Sequence, residues 1–356
     1  MKKLFLTLVI VVLMSGLILS GCAEPAPAPA PAPSPAPAPA PPPEKAVTLR
    51  WAHFAASHLT SSQLLVDMSE RVKQRTNGRY NIQIFWSDSL VPMFESMDAV
   101  RTGSTEMATW PFGPFSSADI RFASSEVPLL YNTVEAQLEG QALLMPDYSS
   151  VLEEKFNQKA ISVSSIISLE VGSTKKPIKT LADWKGLMCQ SISPQLAAVI
   201  DAFGGTGVPI SPIEVYSSLE KGIVDATIQS QGKFVEAKLW EVCPYLTDAS
   251  LVPAAVATSV NLDVLNKMPK DVQDILIDEG KKLITLSAET TLTDFYEYQE
   301  QLAANMEVYY LPKAERERWK ETVRPVIDSL LAEMGDFAQR VRQTADEANA
   351  KYPYPY

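Results

Sequence analysis

The chain has 356 residues, of which 46 % are hydrophobic and 21 % are charged, a balance typical of a globular protein. The formal net charge is −11 and no basic stripe interrupts it, which argues against nucleic-acid binding. Only two histidines occur, His53 and His58, and this count argues against histidine-based catalytic triads and multi-histidine metal sites.

The N-terminus has the order of parts of a secretory signal peptide. Two lysines precede an apolar stretch over residues 4–20, which runs into the sequence L-S-G-C ending at Cys22. These last four residues look like a lipobox, the site at which bacterial lipoproteins are diacylated and cleaved. We therefore expect a lipoprotein signal peptide over residues 1–21 and a lipidated Cys22. The alternative is an uncleaved membrane anchor, although the stretch is at the short limit for a span.

A linker rich in alanine and proline follows the cysteine, over residues 22–45. Eleven of the 27 prolines lie between Pro25 and Pro43. Such a segment favours extended polyproline II and would reach roughly 60 Å. We expect this linker to act as a spacer between the lipid anchor and the folded domain. The protein would then lie at the outer face of the cytoplasmic membrane or in the periplasm, anchored through Cys22. About 310 residues remain after it, which is enough for two packed lobes.

The first part of this domain shows alternating strand and helix patterns. Alternation of apolar and polar residues predicts strands over 47–54 and 80–86, separated by a helix over 60–76. A short helix over 94–101 and a third strand over 105–110 follow. This order implies right-handed crossovers and a parallel sheet.

The pattern repeats downstream, with a clear helix start at Ser193-Pro194, because proline suits the first helical position. From Pro269 to about Asn305 only one glycine and no proline intervene, which predicts one long helix or two in line. The remaining predicted elements are strands over 160–171, 223–228 and 306–311 and a helix over 214–221. Two α/β lobes with a cleft between them are the natural interpretation.

An ordered set of segments resembles the DctP-type solute-binding proteins of TRAP transporters. The segment over 204–226, G-G-T-G-V-P-I-S-P-I-E-V-Y-S-S-L-E-K-G-I-V-D-A, looks like the signature of that family. K-P-I-K-T-L-A-D-W-K-G-L (176–187), T-N-G-R-Y-N-I-Q-I-F (76–85) and S-L-V-P-M-F-E-S-M-D-A-V-R-T-G (89–103) match in the right order. The resemblance covers roughly residues 46–345.

The resemblance implies a two-lobed, periplasmic-binding-protein-like α/β fold with hinge strands and a long C-terminal helix that spans both lobes. Lobe one would comprise residues 46–168 and 256–297, and lobe two residues 169–255 and 298–350. It also implies closure on one small-molecule solute, which is delivered to the membrane subunits of a TRAP permease, and no cofactor.

The chain departs from the family at the residues that usually meet an organic anion. The typical arginine, whose planar fork suits a carboxylate, corresponds to Gln190, and a second arginine of some members corresponds to about Val171. The asparagine that often contacts ligand is replaced by Gln229. Amides carry no charge, so a neutral polar ligand is favoured over a dicarboxylate. Two alternatives are a rearranged anion site, with another cation such as Lys175 or Lys176, and lost binding.

Further candidate contacts lie at predicted strand ends, where open α/β sheets bind ligands. These are His53 and Phe54 after the first strand, and Trp110 and Phe112 after the third. Aromatic side chains at these positions could stack on a ring, although each could equally be ordinary packing. Tyr216 is a weaker candidate, because its helical position favours packing.

Other classes of function lack their motifs. No G-x-S-x-G occurs, so the nucleophile elbow of α/β-hydrolases is absent from the sequence. The cysteines beyond the lipobox, Cys189 and Cys243, lack zinc spacing and allow one disulfide or two buried thiols. An enzyme is therefore not expected, and neither is a metal site. A ligand-binding sensor subunit and a purely structural lipoprotein remain as alternatives to transport.

Overall fold

The computed structural model describes residues 46–57 and 60–356. The predicted signal peptide (1–21), the lipidated Cys22 and the whole predicted linker up to residue 45 lie outside the described residues. The strands of the described part, numbered β1 to β9 in chain order, are Val47–His53, Tyr80–Phe85, Met107–Pro111, Gln158–Ser173, Met188–Ser191, Thr206–Pro209, Ala226–Ser230, Tyr245–Asn261 and Glu307–Tyr310. The α-helices, α1 to α11, are Thr60–Arg75, Ser96–Thr102, Val134–Leu143, Met145–Phe156, Pro194–Phe203, Val215–Glu220, Gln231–Glu236, Leu262–Lys267, Lys270–Asn305, Lys313–Glu333 and Phe337–Lys351.

The strands form one mixed sheet in the order β2-β1-β3-β8-β4-β7-β5-β6, with β9 paired to β8. The predicted parallel pairing holds on both flanks, where β1 pairs with β2 and β3, and β5 pairs with β6 and β7. The centre departs from it, because β4 and β8 run antiparallel along their whole length, from Gln158–Asn261 to Ser173–Tyr245. Strand β4 carries the chain from the first flank to the second, and β8 carries it back. The two strands therefore run in opposite directions.

The two long strands divide the sheet into halves. The first half consists of β1, β2 and β3, which join β8 at its carboxyl end, from Val256 to Val260. The second half consists of β5, β6 and β7, which join β4 at its carboxyl end, from Leu169 to Ser173. Strands shared by two α/β halves are the arrangement of a two-lobed binding protein, so the fold class expected from the sequence is confirmed.

The register of β4 against β8 shifts where the halves meet, between Ile166 and Leu169. Gln137 of α3 fills the irregularity with its fully buried amide. Its Nε2 donates to the carbonyl oxygens of Ile166 (2.5 Å) and Ala254 (3.1 Å), and its Oε1 accepts from Ser168 Oγ (2.7 Å). The side chain thus supplies partners to backbone groups at the irregularity, where unpaired polar groups are costly.

Helix α9 is a single helix of 36 residues, which resolves the choice between one helix and two. At 1.5 Å per residue it is about 54 Å long. It packs on α1 and β4 and, further along, on α7 of the second half. The contact with β4 is close, because a Cβ at Gly280 would lie 2.3 Å from the Ile161 carbonyl oxygen.

Local signals account for several element boundaries. Ser193 caps α5 by accepting a hydrogen bond from the Leu196 amide at 3.2 Å, and Gly204 ends the helix with φ of 95°. The strand predicted over 223–228 begins later, at Ala226. The preceding residues complete the turn after α6, where the Ile223 amide donates to the Ser218 carbonyl at 2.9 Å.

The two remaining cysteines are free and buried in the described structure. Cys189 lies in β5 and Cys243 precedes β8. Burial raises the pKa of both thiols, so they stay protonated and unreactive near neutral pH. Of the two possibilities that the sequence allowed, the structure therefore has the pair of buried thiols.

Candidate functional site

A cavity of about 530 Å³ lies between the two halves, and we call it the cleft. Carboxyl ends of parallel strands point into it from both sides. His53 ends β1, Pro111 ends β3 and Gln229 lies near the end of β7. Open α/β sheets bind ligands at such strand ends.

Helix α9 closes the back of the cleft with one face. Five of its residues line the cavity at intervals of three and four, which places them on a single side of the helix. They are Leu283, Ser287, Thr291, Asp294 and Tyr298. The site is therefore built from both halves and from the helix behind them.

His53 is a neutral side chain on the cleft wall, with 9 % of its surface exposed. Its Nδ1 accepts a hydrogen bond from the Ala55 amide at 3.0 Å, and burial lowers its pKa to about 4. A neutral imidazole whose Nδ1 accepts must carry its proton on Nε2. The ring is fixed by stacking on Phe54, at 5.2 Å and 15° between planes.

Gln190, at the position of the family arginine, is fully buried and does not line the cleft. Its Nε2 donates to the Ile210 carbonyl at 2.8 Å, and its Oε1 accepts from Thr227 Oγ1 at 2.7 Å and from Gln229 Nε2 at 3.0 Å. The amide is occupied by these three partners. Gln190 is therefore connected to the cleft by its hydrogen bond to Gln229, which does line the cavity.

Three other predicted contacts lie in the core. Trp110 and Phe112 are fully buried, and Val171 is 1 % exposed between Ile228 and Thr247. The strand alternation explains the first two, because successive residues point to opposite faces of a sheet. In β3 the residues that line the cleft are Thr109 and Pro111, so their neighbours face away from it.

Trp110 and Phe112 instead belong to the core of the first half. The indole Nε1 of Trp110 donates to Ser259 Oγ at 2.9 Å, and Phe112 stacks on Tyr148 at 4.3 Å. Tyr216 is also absent from the cleft wall and donates its hydroxyl to Glu241 Oε2 at 2.9 Å. Of the predicted contact residues, His53, Phe54 and Gln229 are the ones brought together at the cavity.

The two lysines suggested by the sequence as replacement cations are surface residues. Lys175 pairs with Asp225 at 2.6 Å and Lys176 with Asp183 at 2.7 Å, with 74 % and 54 % of their side chains exposed. Sequence reasoning missed Lys233, which lines the cleft and lies 3.6 Å from Glu236. Its position three residues after a strand end was the available signal.

Carboxylates outnumber cations on the cleft wall. Asp88, Glu236 and Asp294 line it together with Lys233, and His53 is neutral. Burial raises the pKa of both Asp88 and Asp294, because desolvation penalises the charged form. The cleft wall thus offers a ligand anion one cation, Lys233, against three acidic side chains.

A second depression lies beside Asp119, near the turn between α10 and α11. Its two cations share one anion, since the Asp119 carboxylate accepts from Arg121 at 2.8 Å and from Lys155 at 2.7 Å. These partners hold the pKa of Asp119 well below its usual range. With its cations already paired to Asp119, this depression is a weaker candidate than the cleft.

Within residues 46–57 and 60–356, no group of three or more His, Cys, Asp or Glu side chains is placed to hold a metal ion. None of the helices in the same part of the chain combines the length and apolar character needed to cross a bilayer.

Comparison with known proteins places the chain in a family of binding proteins. The model of the bacterial extracellular solute-binding protein family 7 (DctP) matches residues 51–334. The chain belongs to this family, and its homologues are solute-binding receptors of transport systems, not enzymes.

Individual relatives are distant in sequence. The C4-dicarboxylate-binding periplasmic protein DctP of Rhodobacter capsulatus is 22 % identical over 310 residues, which are 81 % of this chain and 88 % of that protein. A solute-binding protein of Verminephrobacter eiseniae is 25 % identical over 218 residues, which are 60 % of this chain and 64 % of that protein. The chain thus spans less than two thirds of the second relative.

Solved structures share the fold. DctP7 of Bordetella pertussis, a receptor that binds pyroglutamic acid, aligns with a TM-score of 0.80 at 19 % identity, over 85 % of this chain and 100 % of that one. DctPAm of Advenella mimigardefordensis, in complex with galactonate, aligns with a TM-score of 0.78 at 19 % identity, over 85 % and 99 %.

Proposed function

We propose that the chain is the extracytoplasmic receptor of a TRAP transporter, which captures a small organic solute in the cleft and delivers it to a membrane permease. The observation that carries the proposal is a cavity built from strand ends of both halves, the usual position of a ligand in such folds. Family membership supports the transport role.

The ligand is a neutral molecule in preference to a dicarboxylate. Among the described residues none that lines the cleft is an arginine, and the family position is filled by a buried glutamine that is already hydrogen-bonded. One lysine faces three carboxylates. Two further negative charges would be desolvated in this setting without a matching partner.

An organic acid is the second candidate, and one observation favours it. Lys233 lies on the wall and forms an ion pair with Glu236 at 3.6 Å, and its ammonium makes no hydrogen bond to any residue that the structure describes. A single carboxylate could displace that contact. Receptors of similar fold bind pyroglutamic acid and galactonate, which are acids.

Closure would occur where β4 and β8 change register, near Ile166. The lobes would then comprise residues 46–168 with 256–297 and residues 169–255 with 298–350, joined by the two long strands. Hinge closure around a ligand is a common response of two-lobed binders.

The lipid anchor is proposed on the sequence alone. Cleavage after residue 21 would leave a lipidated Cys22 and the proline-rich linker up to residue 45. The receptor would then be held at the outer face of the cytoplasmic membrane, or in the periplasm, within reach of the permease.

A pair of matched variants tests whether the cleft binds solute. Ser287→Trp fills the cleft from α9, whereas Thr285→Trp places the same side chain on an exposed position of the same helix. A thermal-shift screen of the mature protein against small metabolites should yield a ligand that is lost in the first variant and kept in the second. Equal binding by both variants would place the solute elsewhere.

A further inference from the structure

We propose that the cleft selects a solute with an apolar body and one hydrogen-bond-accepting head group, and that the Nε2–H of His53 donates to that head group. This inference rests on the proposed receptor function and specifies its ligand class. A polyhydroxylated sugar or sugar acid is excluded by it. The proposal covers both neutral and anionic head groups, because an amide oxygen and a carboxylate oxygen both accept a hydrogen bond from an N–H.

The first argument is the chemistry of the walls. Large apolar side chains line the cleft from both halves and from α9: Phe54, Phe94, Ile166, Ile192, Ile213 and Leu283. Two of them, on opposite halves, are unusually open, with Ile213 83 % exposed and Phe94 49 % exposed. An apolar ligand would cover this surface, whereas a ring bearing hydroxyls would place them against groups that cannot pair with them.

The second argument is that several hydroxyls on the wall are already used within the protein. Thr109 and Thr258 bond each other at 2.9 Å across β3 and β8. Ser230 caps α7 by accepting from the Lys233 amide at 3.2 Å. These side chains have less capacity left for the many hydroxyls of a sugar.

The third argument is the free donor of His53. The side chain is about nine-tenths buried and its Nδ1 is occupied by the Ala55 amide. Among the described residues no hydrogen bond is made by Nε2, which carries the proton and belongs to a residue on the cavity wall. This donor is accessible from the cavity, and an acceptor atom of a ligand would give it a hydrogen-bond partner.

Gln229 and Lys233 complete the polar end on the second half. Gln229 is held by its hydrogen bond to Gln190, and the ammonium of Lys233 is beyond hydrogen-bond distance of Glu236. A head group at His53 would share the cleft with these two polar side chains, while Phe54, Phe94 and Ile213 offer apolar surface to the rest of the ligand. This is the usual division of a specific small-molecule site.

Six-membered rings of matched size test the ligand class directly. We would measure binding of cyclohexanecarboxamide, cyclohexanecarboxylate, benzamide and benzoate by ligand-observed NMR, against galacturonate and glucose, with the mature wild-type protein. The Ser287→Trp variant serves as the blocked control. We expect binding by at least one apolar ring, lost in the control, and none by the two hydroxylated rings.

The role of His53 is tested on the apolar ring that binds best. His53→Phe keeps an aromatic ring without the donor and should weaken binding about tenfold. His53→Gln restores an N–H donor and should recover part of that loss. Unchanged affinity in His53→Phe would overturn the role of the histidine.

A second measurement needs no ligand. Long-range ¹H–¹⁵N spectra of the mature protein, with His58→Gln used for assignment, should show His53 as the neutral Nε2-protonated tautomer from pH 8 down to pH 5.5. A titration above pH 6 or an Nδ1-protonated ring would overturn the assignment.

The outcomes separate this inference from the proposed function. Binding of galacturonate or glucose in the cleft, without binding of the apolar rings, would overturn the inference and leave the receptor function standing. Failure of all these rings to bind would overturn the inference alone if the metabolite screen yields a cleft ligand. Failure in both the ring set and the metabolite screen would count against both proposals.

Discussion

Glu126 accepts a hydrogen bond of 2.5 Å from the hydroxyl of Ser193, and this contact joins the two halves of the protein. Glu126 follows β3 of the first half, whereas Ser193 caps α5 of the second half. Beside them, Gln195 Nε2 donates to Ser116 Oγ at 2.9 Å. The two contacts cross between the halves near Ile192, which lies on the cleft wall.

Stability should depend on pH through Glu126. Burial raises its pKa from 4.5 to about 7, so its neutral form is favoured in the folded protein. The stability that it contributes is complete below pH 4.5 and is lost as pH rises through about 7. Relative to Glu126→Gln, the wild-type protein should lose up to about 3 kcal/mol of unfolding free energy between pH 5 and pH 8.

Urea unfolding at four pH values measures this difference. Glu95→Gln, at an exposed glutamate, is the matched control and should follow the wild-type curve. A difference between wild type and Glu126→Gln that stays constant across the range would contradict the prediction.

Gln137 should contribute far more to stability than its neighbour one turn along α3. Gln137→Leu leaves the Ile166 and Ala254 carbonyls and the Ser168 hydroxyl without their partner, at a cost of about 3 kcal/mol. Gln141→Leu removes only one long hydrogen bond, of 3.3 Å, and also an oxygen that has no partner among the described residues.

Both variants replace a buried glutamine of α3 by leucine. The difference between their unfolding free energies, measured with denaturant, therefore reports the contribution of the hydrogen bonds from Gln137 to β4 and β8. We expect the second substitution to be close to neutral. Similar losses in the two variants would show that the bridge across β4 and β8 contributes little.

Dicarboxylates should fail to bind. Succinate, malate and fumarate should give no calorimetric signal with the mature protein at up to about 1 mM, a limit equivalent to roughly −4 kcal/mol. The physical reason is the excess of carboxylates over Lys233 on the cleft wall. Tight binding that disappears in Lys233→Met would show instead that this lysine serves as the missing cation.

Lipidation should depend on Cys22. Cells that express the wild-type chain and a Cys22→Ser variant can be labelled with a radioactive fatty acid. We expect label on the wild-type protein and none on the variant, because the thiol is the acylated group. Label retained by the serine variant would refute the lipoprotein assignment.

Local signals in the sequence predicted much of the fold. Ser193-Pro194 and Gly204 mark the two ends of α5 by capping chemistry that involves neighbouring residues only. The long helix α9 follows from the near absence of breaking residues between its ends. The antiparallel centre was not predicted, because the direction of β8 depends on which strand it meets and not on its own pattern.

The site was harder to predict than the fold. Gln190 looked like a ligand contact, but its partners Thr227 and Gln229 lie 37 and 39 residues away in sequence, and only the folded sheet shows that they occupy it. Trp110 differs from a true wall residue by a shift of one position in β3. A side-chain period of two makes that error easy when a strand is located only approximately.

The unbroken helix behind the cleft has a mechanical consequence. Gly280 lets α9 contact the backbone of Ile161 in β4, so the N-terminal part of the helix is held tightly against the sheet. The other end meets α7, where Tyr298 would lie 3.2 Å from a Cβ at Gly232, with no such interlock of backbone. In the proposed closure, α7 would therefore slide along α9 at this contact, and Tyr298, which also lines the cleft, would couple that sliding to the cleft wall.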